Sequence, residues 1–362
     1  MSSRIYLDHA ATTPLRPAAR AAMLDAWDAW ANPSSPHAEG RAARAGLEAA
    51  RLRIAEALGW RGAILFTSGA SEGIAMAMAR ARPARRGRGR TIVSTVEHDA
   101  VRRHGGDAVE LAVGADGRVT EVGLALAFEQ AGAAPLVAVQ AVNSETGVIQ
   151  PLEAIGEAVR AAGGLWLCDA TQAVGKMPLP DADFLAFSAH KFGGPPGIGA
   201  LLVKDLATLS PGGGQEQGYR GGTEDWPSVA GMAAALDEGA GWIERVGDLR
   251  GHLDSAIEDA GGAVIARDAP RLGTLASYRM PGMAAAAQLI RFDSAGFAVS
   301  AGSACSSGSL RPSHVLAAMG LDAQAAGEVI RVSFGRTTRR EDVWRFADQW
   351  RLIARDARAR AA

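Results

Sequence analysis

Short apolar runs alternate along this chain with amphipathic patterns of helical period. Ile5-Tyr6-Leu7-Asp8 is extended, and a turn-rich stretch from His9 to Pro14 follows it. The spacing predicts a helix from Pro17 to Trp30 and an ordered loop over Asn32-Pro33-Ser34-Ser35-Pro36-His37. A long helix should then bury Leu47, Ala50, Ile54 and Ala57/Leu58 and stop at Gly59. Strands are predicted at 64–67, 91–95, 108–113, 136–142, 165–168, 183–187 and 200–203. Ser68-Gly69-Ala70-Ser71 turns into a helix through Arg80. Pro151 opens another, with Ile155, Val159 and Ala162 inside and Gly163-Gly164 as its stop. A helical region is expected from about Ser228 to Ala260. The last helix should start on a Thr338–Glu341 capping box and bury Val343, Phe346, Trp350 and Ile353.

This alternation predicts an α/β fold, a mostly parallel sheet with helices on both faces. We expect a large domain over 15–246 and a smaller α+β domain from 1–14 and 247–362. Ligands of such sheets bind beyond the strand carboxyl ends. Ser71, His98, Asn143, Asp169 and Lys191 all fall just past predicted strands.

Composition narrows the function classes. The 362 residues are 48% hydrophobic, enough for a large core, and the net charge is −1. That balance gives no general electrostatic case for nucleic acid or an anionic membrane. The basic run Arg82 to Arg90 lacks interleaved aromatics and reads as a solvated loop. No apolar run approaches the ~18 residues of a membrane span, and the first residues lack a signal-peptide pattern. With only two cysteines there is no disulfide framework, so a cytoplasmic location is expected.

The chemistry centres on Ser188-Ala189-His190-Lys191 and the FGGPPGIG loop after it. A lysine at the end of a buried strand loses hydration of its charged form and becomes a candidate for a Schiff base with a carbonyl cofactor. A lone lysine after a strand is usually solvated, but this one has partners. Pyridoxal phosphate needs a lysine, an acid for its ring nitrogen, a phosphate cradle and a group to hold the ring. Asp169 suits the acid. Gly69-Ala70-Ser71 opens a helix whose N–H groups suit a phosphate, with Ser188 and His190 as further donors, and His98 can stack on the ring. Cys305 sits in SAGSACSSGS, among serines and glycines, where an accessible thiol points to use. Cys168, flanked by Leu165-Trp166-Leu167, reads as inert core.

With these residues the chain resembles the cysteine desulfurases, pyridoxal-phosphate enzymes of aminotransferase class V and fold type I. The resemblance covers nearly the whole chain. It rests on YLDHAATTP, NPSSPH, FTSGASE, NSETGVIQP, DATQAVGK, SAHKFGGPPGIGAL, GGGQEQGYRGGTE, SAGSACSSGSLRPSHVL and IRVSFGRTT. It implies that Lys191 forms the internal aldimine and moves the Cα proton. Asp169 would pair with the pyridinium, Gln172 bond the ring hydroxyl, and His98 stack and serve in acid–base steps. Ala70, Ser71, Ser188 and His190 would hold the phosphate, and Thr223 would reach the phosphate of a partner subunit in a homodimer. Arg331 would take the substrate carboxylate, assisted by Asn143 and Asn32. Cys305 would take sulfur from L-cysteine as a persulfide and leave alanine. The acceptor would be an iron–sulfur scaffold, with Cys305 able to touch a cluster transiently, or a tRNA-thiolation relay; no resident metal is expected.

The chain departs from the family pattern at Ser71-Glu72-Gly73-Ile74, where two asparagines are usual, and at Asn143-Ser144-Glu145-Thr146. It is also short for the group, which suggests a trimmed C-terminal end. Alternative readings are a selenocysteine lyase, another class V aminotransferase, and a sulfur-relay scaffold without turnover.

Overall fold

The computed structural model describes residues 4–82, 89–237, 239–302 and 312–361. Most of the basic run and residues 303–311, Cys305 among them, lie outside these residues. The strands, in chain order, are β1 (Ile5–Tyr6), β2 (Ala63–Thr67), β3 (Ile92–Ser94), β4 (Val109–Leu111), β5 (Leu136–Ala138) and β6 (Leu165–Asp169). They continue with β7 (Phe184–Ser188), β8 (Gly199–Val203), β9 (Ala263–Val264), β10 (Leu275–Arg279), β11 (Phe297–Ala298) and β12 (Val329–Ser333). The helices are α1 (Pro17–Asp28), α2 (Ala38–Leu58), α3 (Ala70–Arg80), α4 (Asp99–Arg102), α5 (Glu121–Ala131) and α6 (Leu152–Ala161). After them come α7 (Trp226–Leu236), α8 (Ile243–Asp259), α9 (Ala285–Ser294), α10 (His314–Ala318), α11 (Ala323–Gly327) and α12 (Arg340–Ala361).

Seven strands form one sheet in the order β2-β8-β7-β6-β5-β3-β4. Only β8 is reversed; the other six run the same way. Side chains alternate between its faces, as the pleat requires. Phe66, Trp166, Leu185 and Phe187 pack with Leu47, Ile155 and Val229 on one face. Leu65, Leu167, Phe184 and Ala186 pack with Ile74, Ala77 and Val101 on the other. Both faces are therefore covered, which is why the strands are apolar almost throughout.

A second core gathers Ile5, Leu7, Leu253, Tyr278, Phe292, Ile330, Phe346 and Trp350. Its antiparallel sheet has the order β12-β10-β9. The N-terminus belongs here too, since β1 pairs in parallel with β11, Ile5 opposite Phe297.

The differences from the sequence expectations have local causes. The helical region 228–260 is two helices, interrupted around Gly239 and Gly241. The strand expected over 136–142 stops at Ala138, because the segment beyond it leaves the ladder to build a loop: Ala141 bonds the Asp169 carbonyl and Asn143 the Val148 carbonyl. The Thr338–Glu341 box is not formed. Thr338 Oγ1 instead accepts from the Gly335 N–H, and Asp342 Oδ2 accepts from the Arg339 N–H at 3.0 Å, so the cap sits one residue later. Val343, Phe346, Trp350 and Ile353 are buried.

Candidate active site

Six strands deliver their carboxyl ends to one edge of the large sheet, and the loops there enclose a cavity of about 310 Å³. Ala70, Ser71, His98, Asn143, Asp169, Gln172, Ser188, His190, Lys191 and Arg331 all line it. These residues come from well-separated parts of the chain; the parallel strands bring most of them together, and β12 of the smaller sheet adds Arg331.

Strand β7 ends at Ser188, and a single tight turn, Ala189–Lys191, carries the lysine to the cavity. Gly193 continues that turn at φ 92°, a conformation that a side chain disfavours. Lys191 Nζ donates to the carbonyls of Ala10 and Ala11, at 2.9 and 2.8 Å. The N-terminal segment thus forms one wall. Asp169, the last residue of β6, is buried, and its Oδ1 accepts the Thr171 N–H at 2.9 Å.

Helix α3 aims its N-terminus at the same space. Gly69 precedes it at φ 151°, and the Ser188 hydroxyl accepts the Ala70 N–H at 2.8 Å. Gly73 lies on the face of α3 that meets the sheet. A Cβ there would stand 3.3 Å from Leu201 and 3.4 Å from Ala186, so glycine lets α3 lie close on the sheet.

Two histidines have settled protonation. His98 caps α4 and accepts the Ala100 N–H at Nδ1 (3.1 Å), which leaves Nε2 to carry its proton. Burial, with the nearby charges of Lys191 and Lys176, pushes His190 down to about 4, so its imidazole is neutral at pH 7.

Arg331, on β12, is buried. Its Nη2 donates to Asp8 Oδ1 at 3.0 Å and its Nη1 to the Ser144 carbonyl at 2.9 Å, while its buried Nε has no partner among the described residues. Donors therefore remain for a carboxylate. Asp8, which also accepts from Ser300 Oγ at 2.8 Å, fixes the guanidinium in place. Losing one member of such a buried pair costs about 3–5 kcal/mol.

Three expectations need correction or qualification. Asn32 does not line the cavity. It is exposed, and its side chain accepts the Ser34 N–H at 2.9 Å, capping the turn before α2. Asn143 does line it, but its Oδ1 takes the N–H groups of Glu145 and Thr146, and its Nδ2 donates to the Val96 carbonyl. Most of its hydrogen bonding therefore builds the loop. Thr223 is exposed and outside its own chain's cavity. Cys305 lies outside the described residues; Gly302 and His314, on either side of that segment, line the cavity.

Sequence reasoning passed over Asp8 and Glu97. Glu97 is fully buried, accepts the Gln140 N–H at 2.9 Å, and has its other oxygen unpartnered among the described residues. Burial, reinforced by the Asp169 charge, pushes its carboxyl up to about 8. The folded protein thus keeps this proton up to about pH 8, whereas an unfolded chain releases it near pH ~4.3. Across that window the folded state binds more protons, so stability falls as pH rises. Glu97→Gln should flatten the decline. Urea unfolding at pH 5, 6.5 and 8 is the check, and parallel declines in the two proteins would refute the assignment.

A sheet with one reversed strand, a lysine at a strand end, a buried aspartate on the neighbouring strand and a helix N-terminus between them define a class that the comparisons identify. The family model for aminotransferase class V matches residues 5–346. An IscS-like cysteine desulfurase of Mycobacterium tuberculosis is 38% identical, the match covering 93% of each chain. A cysteine desulfurase of Cereibacter sphaeroides is 36% identical over 95% of this chain and 94% of its own. Among solved structures, a NifS-like protein from Rickettsia africae superposes with a TM-score of 0.88 at 29% identity, covering 97% of this chain and 99% of that one. The chain belongs to the aminotransferase class V family, among its cysteine desulfurases.

Proposed function

We propose that this protein converts L-cysteine to L-alanine with pyridoxal phosphate as cofactor and passes the sulfur, as a persulfide on Cys305, to an acceptor. The observation that carries the reading is the convergence of Lys191, Asp169 and Arg331 on one cavity. A solved relative, SspA in complex with cysteine, is 31% identical with a TM-score of 0.79 over 92% of this chain, and it supports the choice of substrate.

The residues present fit the cofactor. The α3 N-terminus, with Ser71, Ser188 and His190, supplies donors for a phosphate. Asp169 is an acid for a ring nitrogen, Lys191 an amine for an aldehyde, and Gln172 an amide for the ring hydroxyl. Thr171 Oγ1 is buried in the cavity wall without a partner among the described residues, as suits a site made for a polar guest. When bound, the cofactor supplies an electron sink for the substrate's Cα.

This chain's own groups do the rest. Arg331, held by Asp8, takes the substrate carboxylate and sets its orientation. Lys191 moves the proton at Cα, and His98, with its proton on Nε2, serves as an acid–base group beside the ring. The Cys305 thiolate attacks the substrate Sγ. An S–S bond forms, the Cβ–Sγ bond breaks, and its electron pair stays on Cβ, which is protonated to the methyl group of alanine. Thiol plus cysteine thus becomes persulfide plus alanine, with no external oxidant. Thr223, exposed on its own chain, is assigned to the phosphate of a second copy in a homodimer. An iron–sulfur scaffold is the acceptor we favour, and the reaction is set in the cytoplasm, where thiols stay reduced.

The direct test is to incubate the protein with pyridoxal phosphate and L-cysteine under a thiol reductant and to measure alanine and sulfide. Equal molar yields are expected. Alanine without sulfide, or neither, would overturn the reading. Activity confined to L-selenocysteine would favour the lyase.

A further inference from the structure

A second lysine lies behind the first. Lys176 is 7% exposed, and Gly175, at φ 72°, makes the turn just before it. Its Nζ donates to Gln172 Oε1 at 3.1 Å. Gln172 Nε2 in turn donates to the Ala10 carbonyl at 2.9 Å, the same carbonyl that accepts from Lys191 Nζ. One continuous set of hydrogen bonds therefore runs from Lys176 through the Gln172 amide to the acceptor of Lys191.

This set fixes chemistry that geometry alone would leave open. An ammonium can only donate, so Lys176 forces the Gln172 carbonyl oxygen toward itself and leaves the amide nitrogen toward the cavity wall. One amide N–H is engaged by Ala10, and the other remains for a ligand atom that accepts. No carboxylate pairs with Lys176 among the described residues. The groups that face it electrostatically are Lys191, His9 and His190. On the Lys191 side, the cavity presents Asp169, His98, His190 and Arg331. A fully buried cation without a counterion is costly and is seldom kept for stability alone.

Building on the proposed function, we propose that Lys176 is a positioning residue for the Schiff-base machinery: it holds the Gln172 amide with an N–H toward the cofactor's ring oxygen, and it places a charge on the same hydrogen-bonded wall as the Lys191 amine. Burial first, then the Lys191 charge, brings Lys176 itself down to about 7, so this influence changes within the working pH range. His9 and His190, each at about 4, stay neutral there and leave the two lysines as the coupled pair on this wall.

Two substitutions separate the two roles. Lys176→Gln keeps a donor for Gln172 but removes the charge, and Lys176→Met removes both. With holoenzyme made from pyridoxal phosphate, the pH midpoint of the near-visible absorption should rise by about one unit in both variants. Cofactor binding should weaken about tenfold in Lys176→Met and less than about threefold in Lys176→Gln. Thermal midpoints of the cofactor-free variants should hold or rise, since a desolvated cation has been removed. A lysine that merely stabilises the fold predicts lower thermal midpoints and an unmoved absorption midpoint. An unmoved absorption midpoint in either variant overturns the inference, as does equal cofactor retention in the two. A wild-type protein with no borohydride-reducible near-visible band overturns the proposed function, and this inference with it.

Discussion

Lys191→Ala is expected to lower turnover of L-cysteine by at least about a thousandfold and to remove the near-visible absorption of cofactor-loaded protein. The lysine does two jobs that no neighbour can inherit. In the proposed mechanism it would hold the aldehyde carbon of the cofactor and move the proton at Cα. Lys176, the other buried amine nearby, is tied to Gln172 and is not among the cavity-lining residues. His190 is neutral and bonded to Thr12 Oγ1 at 3.1 Å. Borohydride reduction followed by peptide mapping gives the decisive reading. A reduced adduct on any lysine of the variant, with turnover retained, would place the Schiff base elsewhere.

Cys305→Ser should be nearly as severe but should fail at a later stage. The variant is expected to bind cofactor and L-cysteine, as shown by a substrate-induced change in absorption, yet to make alanine and sulfide at no more than about a thousandth of the normal rate. The other thiol cannot substitute for it. Cys168 is completely buried in β6, and burial, then the Asp169 and Glu97 charges, pushes its thiol pKa well above the range of a useful thiolate. Cys168→Ser should therefore leave turnover within about twofold. Normal desulfuration by Cys305→Ser would remove the thiol from the mechanism and favour the lyase reading, since a selenium leaving group has less need of one.

The framework of this site could be read before any coordinates because its residues obey two strong regularities. Apolar runs of strand length predicted where the sheet would be, and chain direction then predicted which edge would carry Ser71, His98, Asn143, Asp169 and Lys191. Those rules act locally or through topology, so sequence expresses them. The reversed β8 was not legible in that way, because Gly199–Val203 is as apolar as its parallel neighbours. Asp8, Glu97 and Lys176 escaped for a different reason. Each is an ordinary charged residue whose importance comes from what is packed against it: Arg331 323 positions away, a dry strand end, or an amide one helical turn back. Asn32 shows the converse. Its loop motif was informative, but its side chain was spent on a local turn.

The pairing of Asp8 with Arg331 has a consequence for biosynthesis. The first strand lies beside Phe297, and the carboxylate that follows it waits for a guanidinium made 323 residues later. At roughly 5–20 residues per second, that delay is about 16–65 s. By then every strand of the seven-stranded sheet, and Lys191 just past the end of β7, has already been made. Until then the chain cannot pair Asp8 with Arg331. On the proposed reading, substrate recognition is therefore withheld until β12 has been made, and a truncated product that ends before β12 would carry the lysine without the arginine assigned to the substrate carboxylate.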